Sequence, residues 1–134
     1  MRHRPRSRWK TANRWNVHAR VERFTEPALL LLLSERPAHG YELLERLPEL
    51  TGGQRVEMGN LYRLLRSLEE EAVVTSEWDA SAPGPAKRRY SLTNDGVRLL
   101  ANWSEALGEA GKRIEAFIDR YERGEEVTDA PRTS

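Results

Sequence analysis

With 134 residues, 32% of them charged and none a cysteine, the chain suits one modest domain plus a tail or helix, with no disulfide framework or thiolate metal site. A formal net charge of only +1 excludes a polybasic protein by totals, so the placement of charge has to be read instead. The longest apolar run, Ala28 to Leu33, falls far short of the roughly 20 residues that cross a bilayer, and the basic N-terminus has no apolar stretch behind it, so a soluble cytoplasmic protein without a membrane partner is expected.

Residues 1–24 carry seven Arg and one Lys against the single Glu22, which leaves the rest of the chain net negative. Up to about residue 14 the composition cannot bury enough apolar surface to order itself. It reads as a solvated tail or, functionally, as an arm lying along phosphates or in a minor groove. Val17, Val21 and Phe24, spaced four and three, predict a short amphipathic helix from Trp15 to Phe24 within this arginine-rich arm.

Phe24-Thr25-Glu26-Pro27 reads as a helix start, with Thr25 as N-cap and Pro27 where its missing N–H is harmless. Leu29 to Leu33 make that helix apolar all round, hence central to the core, and Arg36-Pro37 ends it. A second helix is expected over His39 to Leu47, before Pro48, with Tyr41, Leu44 and Leu47 on one face. After the Gly52-Gly53 loop, Met58, Leu61, Leu64, Leu65 and Leu68 recur at a helical period. The other side of this third helix carries Asn60, Tyr62, Arg63, Arg66 and Ser67, side chains able to bond base edges or phosphates. The acidic residues stand at Glu57 and at Glu69 to Glu71, so the helix could enter a groove N-terminus first. An ordinary amphipathic core helix is the competing reading of this segment taken alone.

Val73 to Trp78 and Arg89 to Leu92 predict a hairpin whose long tip holds Pro83-Gly84-Pro85, with Lys87, Arg88 and Arg89 where the chain leaves the tip. Lys87 and Arg89 share one strand face; Arg88 has the parity of Tyr90 and Leu92, which allows it to pair within the protein. Thr93 then caps a last helix, with Asp95 in its first turn. Along it Leu100, Trp103, Leu107, Ala110, Ile114, Phe117 and Tyr121 alternate steps of three and four, a heptad seam that predicts packing against another helix, most simply a second copy of itself. The alternative is packing against the chain's own core. Trp103 on such a seam is either plain packing or the wall of a pocket for an aromatic or cationic effector.

The predicted order is therefore that of a mainly α, α+β winged helix-turn-helix with a β-hairpin wing and a long C-terminal dimerisation helix. Residues 1–24 form the arm, 25–92 the DNA-binding unit, 93–123 the dimerisation helix and 124–134 a polar tail. In such a dimer two reading helices sit about 34 Å apart, one turn of DNA. Three stretches carry a more specific likeness: Leu33-Ser34-Glu35-Arg36-Pro37-Ala38-His39-Gly40-Tyr41-Glu42-Leu43, Gly59-Asn60-Leu61-Tyr62-Arg63-Leu64-Leu65-Arg66-Ser67-Leu68-Glu69, and Lys87-Arg88-Arg89-Tyr90-Ser91-Leu92-Thr93-Asn94-Asp95-Gly96. In this order they resemble the PadR family of bacterial transcriptional regulators, over roughly residues 25–123. The resemblance implies a dimeric winged-helix repressor of the smaller subfamily, with Tyr62, its neighbours and the basic wing meeting operator DNA. Glu57-Met58 stands where the family commonly has Ser-Pro, and Asn60 where Ser or Thr is usual, a change that brings a side chain suited to adenine.

The expectation is a homodimeric repressor that reads a double-stranded operator through Asn60, Tyr62, Arg63 and Arg66 and is released by a small molecule, with no cofactor and no metal. His39 is expected to serve the start of the second helix. The three histidines are scattered, and no nucleophile elbow, phosphate loop or paired-carboxylate arrangement points to an enzyme. Two rival readings are a winged-helix protein-interaction adaptor and a non-specific nucleic-acid binder driven by the arm.

Overall fold

The computed structural model describes residues 8–11, 14–17, 24–81 and 83–127, with side chains from Phe24 to Gly124 apart from residue 82. In chain order the elements are β1 (Arg8–Thr11), β2 (Arg14–Val17), α1 (Thr25–Glu35), β3 (Ala38–His39), α2 (Gly40–Leu50), α3 (Met58–Glu70), β4 (Val74–Asp79), β5 (Lys87–Leu92) and α4 (Asn94–Val127).

The N-terminal residues differ from expectation. Arg8–Thr11 and Arg14–Val17 pair antiparallel, with Trp9 opposite Asn16 and Lys10 opposite Trp15, so the helix predicted from Trp15 does not form over residues 15–17. Three apolar residues at helical spacing are a weak signal beside a run in which Trp15 and Val17, both strand-favouring, can pair with a neighbouring segment. The rest of that predicted helix, residues 18–23, lies outside the described residues.

The core is assembled from one apolar helix and two amphipathic ones. Leu29 and Leu30 of α1, Leu43 and Leu47 of α2, and Leu61, Leu65 and Leu68 of α3 are fully buried, with Val74 of β4. Each buried leucine contributes roughly 1.5–3 kcal/mol relative to exposure, and these three helices hold most of them. The spacing of Leu61, Leu65 and Leu68 fixes which side of α3 faces inward and hence which side is free. Met58, expected in that stripe, is 51% exposed, because it is the first residue of the helix and projects beyond the core it would have to reach. Tyr41 likewise lies outside the buried face of α2, which is Gly40, Leu43 and Leu47, with Leu44 only partly covered.

Helix α1 begins at Thr25 with Phe24, not Thr25, as its cap residue, and no side chain caps it. Helix α2 runs through Pro48 to Leu50. A proline in the last turn removes one bond without stopping the helix, which closes with the Thr51 N–H on the Leu47 carbonyl at 3.1 Å. The hairpin β4–β5 pairs Val74 with Leu92, Ser76 with Tyr90 and Trp78 with Arg88. The short β3 adds to its edge, Ala38 opposite Tyr90 and His39 opposite Arg89, giving the order β3-β5-β4. Tyr90 and Leu92 face the core as predicted, Tyr90 being 5% exposed.

Thr93 caps α4 as expected: its Oγ1 accepts the Gly96 N–H at 3.1 Å and its hydroxyl donates to the Ala72 carbonyl at 2.7 Å. The helix has 34 residues, about 50 Å at 1.5 Å per residue, and continues to Val127, past the end predicted at Arg123. Among the described residues no helix is long and apolar enough to cross a membrane.

Candidate nucleic-acid interface

The outward side of α3 carries Asn60, Tyr62, Arg63 and Arg66, all exposed, while Leu61, Leu65 and Leu68 hold the opposite side to the core. Arg63 is not loose: its Nη2 donates to Asn60 Oδ1 at 2.6 Å and its Nε to the Gly59 carbonyl at 3.4 Å. Two side chains expected to read bases are thus bonded to one another across one helical turn, an arrangement that limits their rotamers before any partner arrives. Tyr62 leans back on the first residue of α2. A Cβ at Gly40 would lie 2.6 Å from Tyr62 Oη and 2.9 Å from ring atoms, so only glycine lets the ring lie there.

Beside α3 stands the hairpin, and its three cations have three different surroundings. Arg88 donates from Nη1 to Ser76 Oγ at 2.9 Å and lies 4.7 Å from the Trp78 ring centroid. Ser76 in turn donates to Glu69 Oε2 at 3.0 Å, which ties the hairpin to the C-terminal turn of α3. Arg88 therefore bonds within the protein, as its strand parity allows, yet stays exposed. Lys87 Nζ sits 4.5 Å from the Tyr41 ring centroid. Arg89 forms an ion pair with Asp79 at 3.0 Å, which uses up part of the charge it was expected to offer to phosphates.

His39 joins α2 to the hairpin. Its backbone N–H donates to Glu42 Oε1 at 3.0 Å, the helix-start role expected of this residue, while ring Nδ1 meets the same carboxylate at 2.7 Å and Nε2 meets Asp79 Oδ2 at 3.0 Å. The ring stacks on Tyr41, centroids 5.4 Å apart and planes within 6°. The His39 backbone N–H holds the Glu42 carboxyl below its usual range, chiefly through that bond. Asp79 is lowered to about 2, first by the Ser81 hydroxyl and backbone N–H on its Oδ1, then by His39 and Arg89. Burial pushes the Tyr90 phenol up.

This lowered carboxyl gives a pH signature. Stability lent by ionised Asp79 is complete above its ordinary 3.8 and is lost as the pH falls through about 2. We therefore expect the melting temperature of the wild type to exceed that of Asp79→Asn near neutrality and the gap to close as the pH is lowered towards about 2. A gap that is constant from neutral pH into acid would show that the carboxylate charge contributes nothing.

Between the start of α2, α3 and the hairpin lies an open cleft of about 450 Å³, bordered by Tyr41, Tyr62, Trp78, Lys87 and Arg88 among others. A second cleft of about 470 Å³ runs beside the α3 N-terminus, past Thr25, Arg55, Glu57 and Asn60. Trp103 borders neither. Its Nε1 donates to Glu26 Oε2 of α1 at 2.7 Å, and with Leu99 and Leu100 it packs, half-buried, against the chain's own core. The predicted seam thus divides. Its upper part, Leu100 and Trp103, packs against α1 and the core, Leu107 and Ala110 are half-covered, and Ile114, Phe117 and Tyr121 are exposed together with Ile118, Phe117 by 72%. Among the described residues no group of acidic or histidine side chains is placed to hold a metal ion.

A helix pair leading into an outward-facing third helix, flanked by a β-hairpin bearing basic residues, defines a winged helix-turn-helix protein. The model of the PadR-like family of transcriptional regulators matches residues 29–102, and the chain belongs to that family. A crystal structure of a candidate transcriptional regulator from Thermoplasma acidophilum is 34% identical, with TM-score 0.62 over 71% of this chain and 90% of that one. A PadR-like transcription factor from Bacteroides fragilis is 28% identical, with TM-score 0.60 over 69% of this chain and 87% of that one. Bacillus subtilis PadR, solved in complex with operator DNA, is 25% identical with TM-score 0.54; the match covers 62% of this chain and 47% of the longer PadR. No curated protein matches the chain.

Among the residues near this face, Gly40, Tyr41, Trp78 and the His39–Asp79 bridge were not anticipated as part of it. Trp78 and Tyr41 were legible only as element-forming aromatics, and His39 and Asp79 are 40 residues apart, a pairing that local spacing cannot reveal.

Proposed function

We propose that the protein is a cytoplasmic homodimeric transcriptional regulator, a repressor that reads a pseudo-palindromic double-stranded operator and is relieved by a small molecule. The observation that carries this reading is the two-sidedness of α3: three leucines at zero exposure clamp one side, and the other presents Asn60, Tyr62, Arg63 and Arg66 next to the wing. Asn60 and Arg63 suit adenine and guanine edges respectively, Arg66 and Tyr62 suit either an edge or a phosphate, and Lys87 and Arg88 suit phosphates beside the groove. Arg89, already paired, has the smaller part. The exposed apolar stretch Ile114 to Tyr121 is the surface through which α4 meets its copy, and that meeting fixes the separation of the two α3 helices. Release then requires a ligand that binds one arrangement of the dimer better than another.

The test is binding of the wild type and of Arg63→Ala/Arg66→Ala to the promoter of the protein's own gene and to a scrambled duplex, at two salt concentrations. The wild type is expected to prefer the promoter and to weaken steeply with salt, with a logarithmic slope of about 0.9 per phosphate neutralised. The double variant is expected to lose roughly tenfold or more per arginine and most of the preference. Equal binding of both duplexes by both proteins would return the choice to the arm-driven or adaptor readings.

A further inference from the structure

Glu57 stands at the tip of α3 with its carboxylate uncommitted. It is the cap residue of that helix, exposed and extended at φ −71° and ψ 142°, yet its side chain does not cap the helix. Among the described residues it enters no ion pair, although Arg55 borders the same cleft of about 470 Å³, together with Asn60. The N–H groups of Met58, Gly59 and Asn60 precede the helical ladder, whose first bond runs from the Leu61 N–H to the Glu57 carbonyl at 3.0 Å. A Cβ at Gly59 would meet nothing within 4 Å, so the chain itself leaves the approach to this helix start open.

An open helix start with free N–H groups ordinarily draws a phosphate. A carboxylate at that point opposes one. Ionised, it can only accept hydrogen bonds, and the donors that DNA offers in the major groove are the amino groups of cytosine and adenine. Adenine carries its N7 acceptor beside the amino group, and that lone pair repels a carboxylate oxygen. Cytosine presents its N4 amino group alone. We propose that Glu57 is a specificity-determining residue of the DNA interface, accepting a hydrogen bond from the N4 amino group of a cytosine and repelling phosphates from the helix tip. This role rests on the DNA-binding reading above. It sets one side chain that only accepts beside the donors Arg63 and Arg66, so a wrong base or a backbone contact at the tip is penalised rather than merely unrewarded.

The experiment is selection from a pool of randomised duplexes by the full-chain wild type, Glu57→Gln and Glu57→Ala. The affinity of each protein is then measured for the duplex that the wild type selects and for a scrambled one. Glu57 is exposed, so neither substitution disturbs the core. The wild type is expected to enrich a site in which one cytosine is favoured by roughly tenfold through Glu57. Glu57→Gln should shift that position towards adenine, whose N6 and N7 a glutamine amide meets together, and Glu57→Ala should accept any base there. Both variants should bind the scrambled duplex more tightly than the wild type, by roughly threefold or more, because a negative charge facing phosphates is gone. A carboxylate that served only the helix dipole would behave otherwise: its loss would lower the melting temperature and weaken both duplexes alike. That result overturns the proposal. So does an enriched site that is the same for all three proteins, or one that changes at a position where the wild type selects a base other than cytosine. In each of these cases the wild type still reads a sequence, and the regulator reading stands. If no protein enriches any sequence, the regulator reading falls and the role of Glu57 falls with it.

Discussion

If the proposed dimer forms through α4, Phe117→Glu is expected to turn it into a monomer of 15.5 kDa in sedimentation equilibrium at micromolar concentration. Phe117 is 72% exposed in the single chain, with Ile114, Ile118 and Tyr121 exposed beside it. An apolar stretch of this kind at the end of a long helix is a surface to be covered. Covering a phenylalanine contributes roughly 1.5–3 kcal/mol, and a two-fold interface counts the residue twice, so its loss should weaken the dimer by roughly a hundredfold to ten-thousandfold before the charge is considered. Two glutamates brought together across the seam add repulsion in the same direction. On the proposed function, operator affinity should fall as the dimer is lost, since one reading helix would remain in place of two spaced for successive turns of DNA. The residue lies far along α4 from the core leucines, so the circular dichroism spectrum should keep its helical signature. A variant that stays dimeric would place the subunit contact elsewhere and leave the exposed end of α4 unexplained.

The legible parts of this fold are those decided by local chemistry. The Leu29 to Leu33 run forms a central helix, though Leu31 within it is 39% exposed; the Leu61–Leu65–Leu68 spacing sets the inward side of α3, and Thr93 with Asp95 marks the start of α4. Errors arose at the edges of such patterns. Met58 and Tyr41 have the right character for a buried stripe, but burial at its ends depends on what stands opposite, and Met58 is left 51% exposed. Strand β3 has two residues and exists only because β5 lies alongside it, so no periodicity could announce it. The seam on α4 shows the same limit. Its three-four spacing identifies an apolar face but not which body covers it, and Glu26, 77 residues away, is what draws Trp103 onto α1. In the candidate interface the residue types were legible and their pairings were not: that Arg89 would be neutralised and Arg88 left over a ring depends on the positions of Asp79 and Trp78 across the hairpin register.

Gly96→Ala is expected to destabilise the protein strongly, against the ordinary rule that replacing a helical glycine by alanine adds about 1 kcal/mol. Gly96 is the third residue of α4, buried where the helix leaves β5, and a Cβ there would run into the Val73 carbonyl oxygen and lie 2.6 Å from Leu92 Cδ1. The oxygen cannot swing away, because it belongs to the backbone and accepts the Thr93 N–H at 3.1 Å. The adjoining carbonyl of Ala72 is held by the Thr93 hydroxyl, and Ala72 itself sits at φ 61°, a left-handed conformation that is costly for a residue with a Cβ. The turn after α3, the end of the wing and the start of α4 thus meet at one point with no slack, and a methyl group must force them apart. Overpacking of this kind costs about 1–3 kcal/mol and more when backbone has to move, which for a domain of this size lowers the melting temperature by roughly 5–20 °C. Gly108→Ala, at an exposed position of the same helix where an added Cβ meets nothing within 4 Å, is expected to raise it instead. The opposite signs of two identical substitutions in one helix are the measurement, by thermal denaturation of both variants beside the wild type. If Gly96→Ala melted at or above the wild-type temperature, the junction would have room that its geometry denies. The same junction sets the angle between α4 and the wing, so in the proposed dimer a variant rescued at low temperature should also bind operator less well without losing its partner subunit, because the two α3 helices would no longer be held at the spacing of a DNA turn.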